Sequence, residues 1–243
     1  MTAADPAQLA RAREALAAAR SVFVLSGSGI SAESGIPTFR GAGGYWRTLR
    51  FEDLASPAGF ARDPLLVWTW YNERIVGHLD ARPNAGHTAL AQLEATMPTF
   101  TLATQNVDSL HQRGGSRNVL ELHGHLREAR CTGCTARRAL DGALPLDEIE
   151  HECGGRWRPD IVWFGEALPA AIWEAAAEAA ASADVVIVVG TSGLVYPAAA
   201  LATSIPHAEA IVIEVNPEPT PVSSRAHVVL RTSAADALPT LVA

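Results

Sequence analysis

The sequence predicts an α/β fold: a doubly wound, mostly parallel, Rossmann-like sheet with a smaller helical module beside it. Three observations carry that expectation. Apolar runs of strand length alternate with segments of helical period, the pattern of a parallel sheet covered on both faces. A close set of glycines, Gly27-Ser28-Gly29-Ile30-Ser31-Ala32, follows the first apolar run. Backbone N–H groups with no Cβ in front of them can approach a pyrophosphate there, beside a helix N-terminus. Polar words then follow four later runs, at Gln105, His123, Gly190 and Asn216. Strand ends that all carry such words converge on one crevice at the carboxyl edge of the sheet.

Pro6 to Ala19 reads as a first helix, with Asp5 as its N-cap and Leu9, Ala12 and Leu16 on one face. Val22 to Leu25 is the first strand. Between Gly41 and about Asp80 the text turns aromatic and irregular, and Pro64 to Leu79 is helical there with Pro64 in its first turn. Ala85 to Ala95 is a helix, Phe100 to Ala103 a strand and Val119 to Leu122 another. Arg130 to Arg158 is a cysteine-bearing insert with little apolar content. Alternation then resumes: helix Pro169–Ala181, strand Val185–Val189, helix Pro197–Thr203, strand Ala210–Val215, strand His227–Leu230 and a last helix from about Ala234.

A chain of 243 residues, 48% of them hydrophobic, can bury a sizeable core as one domain. The net charge of −7 argues against a nucleic-acid partner, which needs clustered Lys and Arg. No apolar run approaches a membrane span. Asp5 and Glu14 among Arg11, Arg13 and Arg20 make a first helix a better reading than a transit peptide, so a cytoplasmic location is expected. Three cysteines, two spaced as Cys131-x-x-Cys134 with a distant Cys153, suggest a structural zinc ribbon rather than a disulfide framework. Glu150 or the adjacent His151 is positioned to supply the fourth ligand. A redox pair is a poorer reading, because no strand-to-helix start frames it.

The stretch Gly27-Ser28-Gly29-Ile30-Ser31-Ala32-Glu33-Ser34-Gly35-Ile36-Pro37-Thr38-Phe39-Arg40 resembles the first signature of the sirtuins, the NAD-dependent protein-lysine deacylases. Ser28 stands where that family usually has Ala. Further words similar to the family's follow in order: Thr104-Gln105-Asn106-Val107-Asp108-Ser109-Leu110-His111, Leu122-His123-Gly124, Val162-Trp163-Phe164-Gly165-Glu166, Gly190-Thr191-Ser192 and Val215-Asn216-Pro217. The resemblance runs from about Ser21 to the C-terminus. It departs at the zinc ribbon, where Glu150 occupies the place of a fourth cysteine.

The resemblance implies a single catalytic domain over 1–243, with a core from about 1–40, 81–125 and 159–243 and a small module from about 41–80 and 126–158. It implies His123 as a neutral base that takes a proton from a ribose hydroxyl of NAD, after nicotinamide has been displaced by the acyl oxygen. Gln105, Asn106 and Asp108 then face the nicotinamide ribose and carboxamide. Phe39 covers the nicotinamide side, and Arg40 lies by the phosphates and ribose. Gly27, Ser28, Gly29, Ala32, Glu33 and Thr38 belong to the cofactor loop, and Gly190, Thr191, Ser192 and Asn216 receive phosphate and the adenine ribose. Val162 and Phe164 line the substrate, an acylated-lysine protein or peptide. Tyr71 and Arg74, three apart on one helix face, match the subgroup that removes succinyl and malonyl groups. An arginine fork with a phenol suits a carboxylate. A mono-ADP-ribosyltransferase and a non-catalytic NAD-sensing scaffold are the alternatives. Intact motifs around His123 disfavour the scaffold, and acidic-acyl recognition disfavours the transferase.

Overall fold

In chain order the computed structural model gives α1 (Pro6–Ala18), β1 (Ser21–Ser26), a 3-10 turn (Ser28–Ser34), α2 (Phe51–Leu54), α3 (Pro57–Arg62), α4 (Pro64–Asp80) and α5 (Ala85–Thr96). Next come β2 (Thr99–Thr104), α6 (Leu110–Arg113), β3 (Val119–Glu121), β4 (Gly124–Cys131), β5 (Arg137–Ala139) and β6 (Trp157–Ile161). The order closes with α7 (Ala170–Ala181), β7 (Val185–Val189), α8 (Ala200–Thr203), β8 (Ile211–Val215), β9 (Val228–Leu230) and α9 (Ala234–Val242). The structure describes residues 5–38, 50–203 and 210–242.

Among the described residues one sheet has six strands in the order β3-β2-β1-β7-β8-β9, every pairing parallel. The chain builds outward from β1 to β3 on one side and from β7 to β9 on the other. The order therefore reverses between β1 and β7, which is where a doubly wound sheet opens its ligand crevice. Strand alternation feeds both faces. Val22 and Val24 pack against α1, α5 and α9, while Phe23 and Leu25 point to the opposite layer of α7 and α8.

The second sheet is antiparallel, in the order β5-β4-β6, with a register shift between Gly124 and Ala129. It starts at Gly124 and ends at Ile161, so it reaches slightly into both expected flanks of the insert. The insert is also less polar in effect than its composition suggests. Leu140, Leu144, Ile149 and Trp157 are buried in one cluster with α4. Asp63 caps α4 by accepting from Leu66 N, and Pro64 costs nothing at its first position. Trp68 is fully buried, and its indole N–H donates to the Trp157 carbonyl at 2.8 Å. Truncating it to alanine would cost about 3–5 kcal/mol. Asn72 adds a two-way amide bond to the backbone of Leu144, in the loop after β5, so α4 is fastened to this module at two levels.

Two expectations are corrected. The glycine-rich stretch enters a 3-10 turn rather than an α-helix, closed by Gly35 in the left-handed region at φ 84°. The helix expected over Pro197–Thr203 is described as helix only for Ala200–Thr203, because residues 197–199 form a turn. No helix among the described residues is long and apolar enough to cross a membrane.

Candidate active site

The carboxyl ends of β1, β2, β3, β7 and β8 bring together Gly27, Gln105, His123, Gly190 and Asn216. Where the strand order reverses, the two glycine turns interlock. Gly27 N donates to the Val189 carbonyl at 3.0 Å and Gly29 N to the Gly190 carbonyl at 2.8 Å. A side chain at Gly29 would place its Cβ 2.7 Å from the Gly190 Cα, backbone against backbone. Gly190 sits at φ 61°, a left-handed conformation that costs other residues strain. The glycines are needed for close approach of two turns, besides any approach to phosphate. Thr191 and Asn216 continue the edge, the Asn216 amide donating to the Thr191 carbonyl at 2.9 Å. Thr191 Oγ1 accepts from the Gln105 amide at 2.9 Å, and Ser192 follows half-buried.

His123 lies half-buried just past β3. Its Nδ1 is 3.0 Å from the Gln105 carbonyl oxygen, which can only accept, so Nδ1 carries the proton and Nε2 the lone pair. Burial holds the imidazole pKa below its ordinary value, with the Gln105 bond opposing. The ring is thus a neutral base with one defined basic nitrogen.

Behind His123 runs a buried polar network. Asp108 Oδ2 accepts from Ser31 Oγ at 2.7 Å, Oδ1 accepts from Leu110 N at 2.9 Å, and burial raises the carboxyl pKa. The Asn106 amide donates to the Gly27 carbonyl and to Ser31 Oγ, both at 3.2 Å. Ser26 Oγ donates to Thr104 Oγ1 and lies 2.8 Å from His111 Nε2, and the His87 and His111 rings meet edge to face at 5.0 Å. Sequence reasoning had not assigned Ser26, Ser31, His87 or His111. The Asn84-x-x-His87 spacing was the available signal, because these two residues form a capping box that starts α5.

Not every expected residue joins the edge. Ala32 and Glu33 are exposed, and the Glu33 carboxylate accepts from Ala235 N at the start of α9, 3.1 Å away. Thr38 is half-buried at the end of the described loop, and Phe39 and Arg40 lie outside the described residues.

Tyr71 and Arg74 share the buried face of α4, together with Trp70 and His78. A cavity of about 120 Å³ lies between that face and Ile36–Pro37, and Arg74 and His78 line it. The Arg74 guanidinium carbon sits 4.5 Å from the Trp70 ring centre. The Val162–Glu166 loop meets α4 through Trp163, whose indole N–H donates to the Tyr71 hydroxyl. Val162 N donates to the His123 carbonyl at 3.0 Å, which places Val162 beside the base, and Phe164 remains partly exposed.

Away from this edge, Cys131, Cys134, His151 and Cys153 bring one donor atom each to within 4.8 Å of one another. The Cys131 and Cys153 sulfurs are 3.4 Å apart, and Cys134 Sγ is 3.8 Å from His151 Nδ1. Three thiols and an imidazole at such spacing are the donor set of a tetrahedral, closed zinc site. The backbone is shaped around it: Gly133 N donates to Cys131 Sγ, and a Cβ on Gly155 would meet that sulfur at 2.8 Å. Of the two candidates for the fourth ligand, Glu150 is corrected out. Its backbone bridges Arg156 and its carboxylate accepts from Arg156 Nε at 2.8 Å. Neighbours on extended backbone point to opposite sides, so His151 turns inward as Glu150 turns out.

The Sir2 family profile matches residues 27–197. The NAD-dependent protein deacylase 2 of Pyrobaculum aerophilum is 50% identical over 230 residues, covering 93% of this chain and 92% of that protein. A solved Sir2 homologue–NAD complex superimposes with a TM-score of 0.90 at 42% identity, covering 96% of this chain and 92% of the other. A Sir2 protein with a deacetylated p53 peptide and 3′-O-acetyl ADP ribose gives 0.88 at 30% identity, with 96% of each chain covered.

Proposed function

The chain belongs to the Sir2 family and is an NAD-dependent protein deacylase, and we propose that the acyl groups it removes from lysine include acetyl and the acidic succinyl and malonyl groups. NAD, when bound, supplies a ribose carbon made reactive by a departing nicotinamide. The chain's own residues divide the remaining work. The loops of Gly27–Gly29 and Gly190–Ser192, with Thr38 and Asn216, hold phosphates and riboses. Asn106 and Asp108 hold the nicotinamide carboxamide, whose amide protons suit the remaining lone pairs of Asp108. Val162 and Phe164 flank the lysine chain. Tyr71 and Arg74 meet the distal carboxylate of an acidic acyl group. Glu33 supports the cofactor loop from behind through α9.

The observation that carries the reading is the pairing of His123 Nδ1 with the Gln105 carbonyl, which leaves Nε2 as a neutral acceptor at the sheet's carboxyl edge. His123 takes a ribose hydroxyl proton at Nε2, and the imidazolium is then held by the same carbonyl. Nicotinamide release should be measured with NAD and acetylated, succinylated or unmodified lysine peptides. Release is expected with both acylated peptides, and His123→Ala should lower deacylation by ~10²–10⁴-fold, the usual worth of a general base. Near-normal turnover in that variant would remove His123 from the mechanism. ADP-ribose attached to the unmodified peptide would make the chain a transferase. Arg74→Met should reduce the ratio of desuccinylation to deacetylation by at least ~10-fold, through loss of a charge-assisted bond of roughly 1.5–3 kcal/mol.

A further inference from the structure

Tyr71 is almost wholly buried, yet its hydroxyl has one described hydrogen-bond partner. That partner is the Trp163 indole Nε1–H, 2.9 Å away. An indole N–H can only donate, so the phenol oxygen is the acceptor in this bond. The phenolic proton is therefore not directed at Trp163, and no described group receives it. A buried hydroxyl normally uses both capacities. Here the acceptor is used from inside the protein, and the donor is left for something else.

Trp163 is itself fixed. Its ring is buried, packs on Phe60 at 5.3 Å between centres, and lies under the Arg158 guanidinium at 3.4 Å. That guanidinium is held on both nitrogens by the Glu166 carboxylate, at 2.6 and 2.9 Å. Glu166 Oε2 also accepts from Trp163 N at 2.8 Å, so one carboxylate holds the stacked cation and the backbone of the ring it stacks on. A ring kept only for packing would need no such clamp, and packing leaves the direction of Nε1–H unexplained.

We infer that Trp163 is a positioning residue for acyl choice: by filling the acceptor of Tyr71, it fixes the phenol as a hydrogen-bond donor toward the acyl carboxylate, beside Arg74. Without the indole N–H, the phenol could turn and present a lone pair to an anion, which repels it. Burial also pushes the Tyr71 pKa up to about 12, with the Arg74 charge opposing, so the proton needed for donation stays in place. The inference rests on the reading of Tyr71 and Arg74 as the acidic-acyl site.

The test compares desuccinylation with deacetylation efficiency in the full chain with NAD, for Tyr71→Phe, Trp163→Phe and the double variant. Trp163→Phe should lower the succinyl-to-acetyl ratio by ~3–10-fold, the range of one neutral hydrogen bond. The loss should appear mainly in the succinyl KM. The double variant should be no worse than Tyr71→Phe alone, because the indole acts only through the phenol. Additive losses, or equal losses on both peptides, would overturn the inference. If Tyr71→Phe lowers the ratio and Trp163→Phe does not, the inference fails and the acyl reading stands. If Tyr71→Phe leaves the ratio unchanged, both fall together. Should Trp163→Phe not fold, replacing the indole by its benzothiophene isostere keeps the ring's shape and removes only the donor. A parent-like ratio in that protein is equally fatal.

Discussion

The carboxyl edge of the parallel sheet and the three-stranded ribbon hold their functional atoms by different means. At the edge, backbone meets backbone: Gly27 and Gly29 lock against Val189 and Gly190, and neutral buried groups such as Ser31, Asn106 and His111 fill the space behind. In the ribbon, charges and metal donors do the holding. Arg137 pairs with Glu128 and Asp160, Arg130 with Asp160 and Glu166, and the four metal donors close one end. A site built from close backbone approach tolerates no added atoms. A site built from ligands and ion pairs depends on metal instead.

The largest expected effect separates the two regions outright. Apparent zinc affinities of folding-coupled sites are about 10–16 kcal/mol at neutral pH. Stripping the metal with a chelator should therefore loosen the ribbon, with amide exchange rising first over β4–β6 and later over β1 and β7. Metal content and exchange measured together would check this. Metal-free protein with unchanged protection in the ribbon would mean that packing alone holds it.

Acid should act on the other region. Burial depresses His87 to about 4 and His111 to about 3 from 6.5, and His123 moves in the same direction. A histidine held neutral in the fold gains its proton on unfolding, so the unfolded chain binds more protons below pH 6.5. The stability these groups provide is complete above that pH and drains as pH falls toward 4 and then 3. Each contributes a slope of at most roughly 1.4 kcal/mol per pH unit, and the buried Asp108 carboxyl offsets part of it. Denaturant titrations of metal-loaded protein between pH 7 and 5 should show this slope. His111→Asn should remove about one proton from it, and a flat profile would show that these rings are charged or solvated in the fold.

A steric change at the edge comes next. Gly29→Ala sets a methyl 2.7 Å from the Gly190 Cα, where neither turn has a flexible end to give. The expected loss is about 1–3 kcal/mol of stability, together with NAD binding. Gly142→Ala in the ribbon, with no described residue within 4 Å of its added Cβ, is the matched control and should leave both unchanged. Equal NAD affinity in the two variants would show that the turns can separate.

The same contrast explains what the sequence could disclose. Strand-end words at Gln105, His123, Gly190 and Asn216 were legible because a parallel sheet of alternating period fixes where such ends converge. The strand Val185–Val189 was read residue for residue, its five apolar positions being buried on both faces. The ribbon was legible only as cysteine spacing. Its apolar residues, Leu140, Leu144, Ile149 and Trp157, recur with neither helical nor strand period, so their common cluster depends on the fold. The contact of His87 with His111 was opaque for a related reason: the two are far apart in the chain and meet only when α5 and α6 pack. The indole of Trp163 gave no sign of its bond to Tyr71, 92 residues away.

The smallest expected effect decides between the two neighbours that the spacing left open. Glu150 carries its charge outward to Arg156, in a pair whose side chains are 60% and 45% exposed. Exposed pairs of this kind contribute roughly 0–1 kcal/mol, less in salt. Glu150→Gln should therefore lower stability by less than about 1 kcal/mol and leave one metal per chain. His151→Ala removes a side chain that is only half-buried, so on packing grounds it too should be mild. As a ligand it is different: His151 Nδ1 sits 3.8 Å from Cys134 Sγ, and its loss leaves three thiols without a fourth protein donor. Metal retention during a chelator challenge should then fall by ~10-fold or more in His151→Ala and stay at the parent value in Glu150→Gln. Loss of metal from the Glu150 variant alone would mean that the carboxylate swings inward when the ion binds, and that the bond to Arg156 belongs only to the metal-free ribbon.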